Sequence, residues 1–122
     1  MKGFKVDIGK LDTRSTVYLL ELDIDGKRVV KVGITSRSIN ERCLEILGSV
    51  FGSYRYFPYC RPKRFRKVND AVGIEQKLLE QFKEFKYEPE HKFSGYTELL
   101  DIEVDKVVDV YEKLVAEDKA SV

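Results

Sequence analysis

Asp25-Gly26 stands between two runs rich in aliphatic and β-branched residues, Thr16-Val17-Tyr18-Leu19-Leu20-Glu21-Leu22-Asp23-Ile24 and Lys27-Arg28-Val29-Val30-Lys31-Val32-Gly33-Ile34. A two-residue Asp-Gly loop suits the left-handed dihedrals of a turn whose twist matches two antiparallel strands. The turn also fixes the register. Ile24 faces Lys27, Leu20 faces Lys31 and Tyr18 faces Gly33, so Tyr18 and Lys31 share one face of the hairpin.

Ser38-Ile39-Asn40-Glu41 follows with the Ser-x-x-Glu spacing of a helix start. Ile39, Cys43, Ile46 and Leu47 then recur at helical spacing, Arg42 lies on the flank of that stripe, and Gly48 supplies a stop. The aromatic stretch after it predicts a third strand near residues 54–59, followed by a basic loop. A second helix is expected from Asn69 as N-cap to about Lys86, burying Ala71, Ile74, Leu78, Leu79, Phe82 and Phe85. A short apolar piece at Thr97 to Ile102 precedes a last helix over about 104–117, and Phe4, Val6 and Ile8 alternate as an extra strand. The reading is one α+β domain over 1–122, with a small mixed, mainly antiparallel sheet, a β-β-α-β-α core at about 16–100, and flanking helices.

The formal charge is only +1 across 122 residues, with 22 Lys and Arg against 21 Asp and Glu. Divided along the chain, residues 26–68 carry 11 basic and 2 acidic side chains, and residues 69–122 carry 7 and 14. A strongly basic centre points to a polyanionic partner. Arg55, Arg61, Lys63, Arg64, Arg66 and Lys67 are the candidates for phosphate contact, interleaved with Tyr54, Tyr56 and Tyr59 for stacking. No apolar run approaches the roughly 20 residues of a membrane span, and residues 1–5 lack the apolar stretch of a signal peptide. With two cysteines and one histidine, a soluble protein of the reducing cytoplasm is expected.

Three side chains carry candidate chemistry. Glu75 falls inside the apolar stripe of the second helix, where an uncompensated carboxylate is expensive, so it predicts either a neutralising cation or a metal. Tyr18 beside Lys31 could serve as a base if cations stabilise its phenolate, and the alternative is an ordinary strand tyrosine. Arg42 could offer a planar fork to a phosphate. No Walker loop, Rossmann glycine pattern, serine elbow or paired CxxC is present, which disfavours a nucleotide cofactor and leaves phosphodiester chemistry.

Thr16-Val17-Tyr18, then Lys31-Val32-Gly33 and Thr35, with Arg42 and Glu75 in order, resembles the GIY-YIG endonucleases over about residues 16–100. Thr16 stands at the first-motif glycine, Lys31 at the second-motif tyrosine, and Ile46 where some members place a histidine. The Lys-x-Gly-x-Thr form is similar to a branch of that superfamily, as is Gly95-Tyr96-Thr97-Glu98. The resemblance implies DNA hydrolysis, on duplex or branched substrates, with one magnesium or manganese ion. It assigns Tyr18 as general base, Arg42 as stabiliser of the charged phosphate, and Glu75 as metal anchor. Lys31 would assist Tyr18. The alternatives are a degenerate nucleic-acid-binding or partner-recruiting domain, and a purely structural one.

Overall fold

The computed structural model describes residues 15–120. The extra strand expected at Phe4 to Ile8 lies outside them. Strands β1 (Ser15–Ile24) and β2 (Lys27–Thr35) form the expected hairpin, with Asp25 at φ 55° and Gly26 at φ 73° in its turn. The register is the one the turn dictates, with Tyr18 opposite Gly33, Leu20 opposite Lys31 and Ile24 opposite Lys27.

Helix α1 (Ile39–Tyr54) begins at Ser38, whose hydroxyl accepts the Glu41 amide at 3.2 Å. It then continues past Gly48 to Tyr54 and closes on Arg55 in the left-handed region, φ 66°. Val50 is fully buried, so packing carries the helix through a glycine that propensity alone reads as a stop. The third strand consequently starts later than expected: β3 is Cys60–Val68, and the expected strand at 54–59 is replaced by the end of α1 and a connecting segment. Pro62 is tolerated because β3 lies at the edge of the sheet, beside a bulge opposite Leu19 and Leu20.

Helix α2 (Ala71–Gln81) starts on Asp70, whose carboxylate accepts the Gly73 amide at 3.0 Å. The expected cap at Asn69 is thus one residue early, and the helix ends at Gln81 before a 3-10 turn at Lys83–Phe85. That earlier end leaves Phe85 42% exposed rather than in the buried stripe. A second 3-10 turn, Tyr96–Glu98, leads into β4 (Leu99–Leu100), and α3 (Val104–Ala120) closes the chain.

The sheet order is β3-β1-β2-β4, all antiparallel, as the small mainly antiparallel sheet of an α+β domain. One face packs Val17, Leu19, Val30 and Val32 against Ile74 and Leu78 of α2 and Val107, Tyr111 and Val115 of α3. Tyr111 anchors this layer by donating its hydroxyl to the Val17 carbonyl at 2.7 Å. The other face packs Tyr18, Leu20, Leu22 and Val29 against Ile46 and Val50 of α1 and Phe93. Two buried layers on one sheet supply the apolar area that stabilises the domain. No described helix is long and apolar enough to cross a membrane.

Candidate active site

Tyr18 lies on the α1 face of β1, directly opposite Gly33 on β2. A Cβ at Gly33 would collide with the phenol ring, so glycine is what lets that ring lie across the neighbouring strand. Arg42, early in α1, donates its Nε–H to the Tyr18 hydroxyl oxygen at 3.1 Å and pairs through Nη1 with Glu45 at 3.2 Å. The helix flank read from the sequence therefore aims this guanidinium back at the strand. Tyr18 itself is 0% exposed.

Lys31 shares the face and is also 0% exposed, the one charged residue among the buried side chains described. Its ammonium lies 5.7 Å from the Tyr18 ring centroid, contacts the Val32 carbonyl at 3.5 Å, and forms a 2.8 Å ion pair with Glu98. The turn that carries Glu98 is fitted closely around the lysine. Gly95, at φ 80°, adopts a conformation that other residues resist, and a Cβ there would strike the end of the Lys31 side chain and approach Arg42 Nη2 to 3.5 Å.

Glu75 reaches this cluster from the opposite layer. β4 pairs with β2 only at Val30 and Lys31, and Glu75 of α2 lies within electrostatic reach of Lys31 and of Glu98 in the turn before β4. Burial, then the charge and hydrogen bond of Glu98, raise the Glu75 carboxyl to about 7, against a smaller pull from Lys31. The lysine therefore compensates Glu98 more than Glu75. Tyr18, Lys31 and Arg42 are thus brought together, Glu98 joins them through Lys31, and Glu75 adjoins the cluster through Glu98 and Lys31. The motif at Gly95 to Glu98 is visible in the sequence, but the partner of its carboxylate depends on the docking of a turn 67 residues from Lys31.

The six basic candidates are divided. Arg61, Arg64 and Arg66 stand opposite Glu21, Leu19 and Val17, on the α2 and α3 side of the sheet, away from Tyr18. Arg64 and Arg66 approach Glu112 of α3 at 3.9 and 3.7 Å, and Lys63, the extra residue of the bulge, approaches Glu21 at 3.8 Å. Lys67 is opposite Thr16 and so takes the Tyr18 side, while Arg55 caps α1. Phe65, 49% exposed, is the direct cross-strand partner of Tyr18.

Among the described residues no group of three or more His, Cys, Asp or Glu side chains encloses a metal. The neighbouring carboxylates of Glu75 and Glu98 are hard oxygen donors of the kind magnesium uses one or two at a time, with water and substrate phosphates completing the shell. Cys43 and Cys60 are free thiols. Burial raises both, and with Cys43 beside it Cys60 reaches about 12, which leaves neither a ready nucleophile. Cavities of about 560 and 870 Å³ lie elsewhere, beside Asp101 to Lys106 and along α2, and neither is lined by Tyr18.

The fold and this cluster define a class: a small α+β domain with a hairpin tyrosine, a helix arginine and a carboxylate from a second helix converging at one sheet margin. The chain belongs to the T5orf172 domain family, whose model matches residues 15–115. No curated protein and no solved structure matches it.

Proposed function

We propose that this domain is a DNA endonuclease of GIY-YIG type, hydrolysing phosphodiester bonds with one divalent cation. The observation that carries the reading is the hydrogen bond from Arg42 to Tyr18, which joins a potential base to a phosphate-binding fork at the margin where Glu75 arrives. Glu75 would hold magnesium or manganese, which supplies Lewis-acid stabilisation of the scissile phosphate when bound.

In this reading Arg42 has two positions. With no substrate it covers the phenol oxygen; when a phosphodiester arrives, its guanidinium turns to the phosphate oxygens, for which a planar two-pronged donor is well matched. The exchange uncovers Tyr18, which, after its hydroxyl proton has been released to solvent, takes a proton from the attacking water as a phenolate and returns to the neutral phenol. Lys31, its ammonium 5.7 Å from the ring centroid and without access to solvent, contributes a positive charge that favours the phenolate before it takes that proton. Lys67 on the site face, and Arg55, Arg61, Lys63, Arg64 and Arg66 around the edge strand, would engage the backbone of duplex or branched DNA. The two thiols and the lack of a membrane-spanning helix among the described residues fit work in the cytoplasm.

A second reading, a domain that binds nucleic acid without cutting it, is favoured by the complete burial of Tyr18. Incubation of supercoiled plasmid with the protein and Mg2+ or Mn2+, beside an EDTA control, separates them. Metal-dependent nicking supports the nuclease; salt-sensitive binding without nicking in either metal supports the binder.

A further inference from the structure

Between residues 26 and 68, where 11 basic side chains stand, there are only two acids, Glu41 and Glu45. Glu41 is used locally, accepting the Ser38 hydroxyl at 3.1 Å at the start of α1. Glu45 holds two arginines. Arg42 Nη1 meets its Oε1 at 3.2 Å, and Arg37 Nη1 pairs with its Oε2. The Arg42 pair has the ordinary neighbour spacing of a helix, but Arg37 lies before α1 and reaches a carboxylate eight residues on, beyond Glu41, to share it. Thr35 sets its backbone for this. The Thr35 hydroxyl, at the end of the Lys-x-Gly-x-Thr pattern of β2, accepts the Arg37 amide at 3.0 Å.

Two guanidiniums thus sit on one carboxylate, an oxygen each, while Arg42 Nε stays on the Tyr18 hydroxyl. A phosphodiester presents the same pattern, one negative charge over two terminal oxygens on one atom, and guanidinium donors match it. The carboxylate is held lightly. Arg37 is 59% exposed and Glu45 36%, and an ion pair so open to water contributes little and exchanges at small cost. We infer that Arg37 and Arg42 together grip one DNA phosphate, and that Glu45 is the internal anion occupying that grip until DNA displaces it into water. This rests on the nuclease reading above, of which it uses the DNA contact of Arg42 and not the metal. It adds Arg37 to the phosphate contacts and makes Glu45 a built-in competitor of the substrate.

The test is fluorescence anisotropy of the full chain with a labelled branched duplex, in EDTA and over a salt series, so that neither metal nor cutting enters. The parent is compared with Arg37→Gln, Glu45→Gln, the double variant Arg37→Gln/Glu45→Gln, and Glu41→Gln. Thermal unfolding reports folding on the same samples. Arg37→Gln is expected to weaken binding and to lower the slope of log binding constant against log salt by about 1, the loss of one phosphate contact. Glu45→Gln is expected to bind about tenfold more tightly than the parent, because a competitor leaves both donors. Glu41→Gln removes the same charge from the same helix, with no arginine among its described contacts. Its gain, from net charge alone, is expected to be about threefold or less. In the Arg37→Gln background the gain from Glu45→Gln should fall to about threefold, since one of the two donors it frees is gone.

Equal gains from Glu41→Gln and Glu45→Gln overturn the inference and leave a simple field effect. So does Arg37→Gln with the parent's salt slope, or a Glu45→Gln gain that is the same with and without Arg37. Cleavage assays on the same proteins keep the two levels apart. The expected binding changes in a protein that cuts in neither Mg2+ nor Mn2+ remove the nuclease reading and keep the two-arginine grip. Metal-dependent cutting with binding indifferent to Arg37 and Glu45 removes the inference alone, and a parent that does not bind the duplex removes both.

Discussion

The Nε–H of Arg42 meets the phenol oxygen of Tyr18 at 3.1 Å, although the two residues are 24 apart in the chain and sit on a helix and a strand. The contact requires the capping of α1 at Ser38 and the absence of a side chain at Gly33, since one sets where the helix begins and the other where the phenol lies. Arg42→Ala is expected to lower DNA cleavage by about 10²-fold or more, on the scale of losing one charge-stabilising donor. Arg42→Lys should recover little, because an ammonium cannot bond the phenol in one state and grip a phosphate with two donors in the other. Single-turnover cleavage rates with DNA in excess of its binding constant check both.

Two glycines provide a matched pair for stability. Gly33→Ala places a methyl against the Tyr18 ring and is expected to destabilise the domain by about 1–3 kcal/mol, the usual range for overpacking. Gly48→Ala, in the middle of α1 with nothing within 4 Å of the added carbon, is expected to stabilise it by about 0.5–1 kcal/mol through helix propensity. Urea denaturation of the two variants beside the parent reads out both signs.

Glu75 makes a pH prediction. Its carboxyl, raised from 4.5 to about 7 by burial and by Glu98, stays protonated in the folded state over a range where the unfolded chain has released the proton. The folded state binds more protons there, so this group's contribution to stability falls as pH rises from about 4.5 to about 7. Glu75→Gln should therefore stabilise the domain at pH 8 relative to the parent and show a smaller gain at pH 5. Thermal unfolding without divalent ions at both values is the check, and a gain independent of pH contradicts the assignment.

The edge-strand cations should contribute unequally to DNA binding. Arg64 and Arg66 already face Glu112, whereas Arg61 makes no described ion pair. Arg61→Gln is expected to lower the slope of log binding constant against log salt by about 1, because a phosphate left without its cation removes close to one unit. Arg64→Gln/Arg66→Gln should change the slope less. Fluorescence anisotropy over a salt series measures both.

How far the sequence carries depends on whether a feature is local. The Asp25-Gly26 turn sets the hairpin register, and from that register the common face of Tyr18 and Lys31 follows without tertiary information. Arg42 can be placed on the flank of its helix from spacing alone. The end of α1 cannot. Gly48 reads as a stop, yet burial of Val50 and contacts of Tyr54 with His91 and Phe93 hold the helix past it. The aromatic alternation near Tyr54 to Tyr59 suggests a strand that in fact begins at Cys60. The Gly95 to Glu98 motif is legible in the sequence, but the pairing of Glu98 with Lys31 is not, because it depends on a turn folding onto a lysine far away in the chain. The split of the basic residues between two faces likewise depends on the bulge and pairing of β3.

The most direct test of the account is cleavage of a labelled branched duplex and of supercoiled plasmid by the parent and Glu75→Ala, in Mn2+ and in Mg2+, with DNA binding measured on the same preparations. The account predicts metal-dependent cutting by the parent, its loss in Glu75→Ala, and binding within about threefold of the parent for that variant, because Glu75 is not one of the phosphate-gripping cations. Equal cutting by both proteins, or none by the parent in either metal while binding is intact, would contradict it.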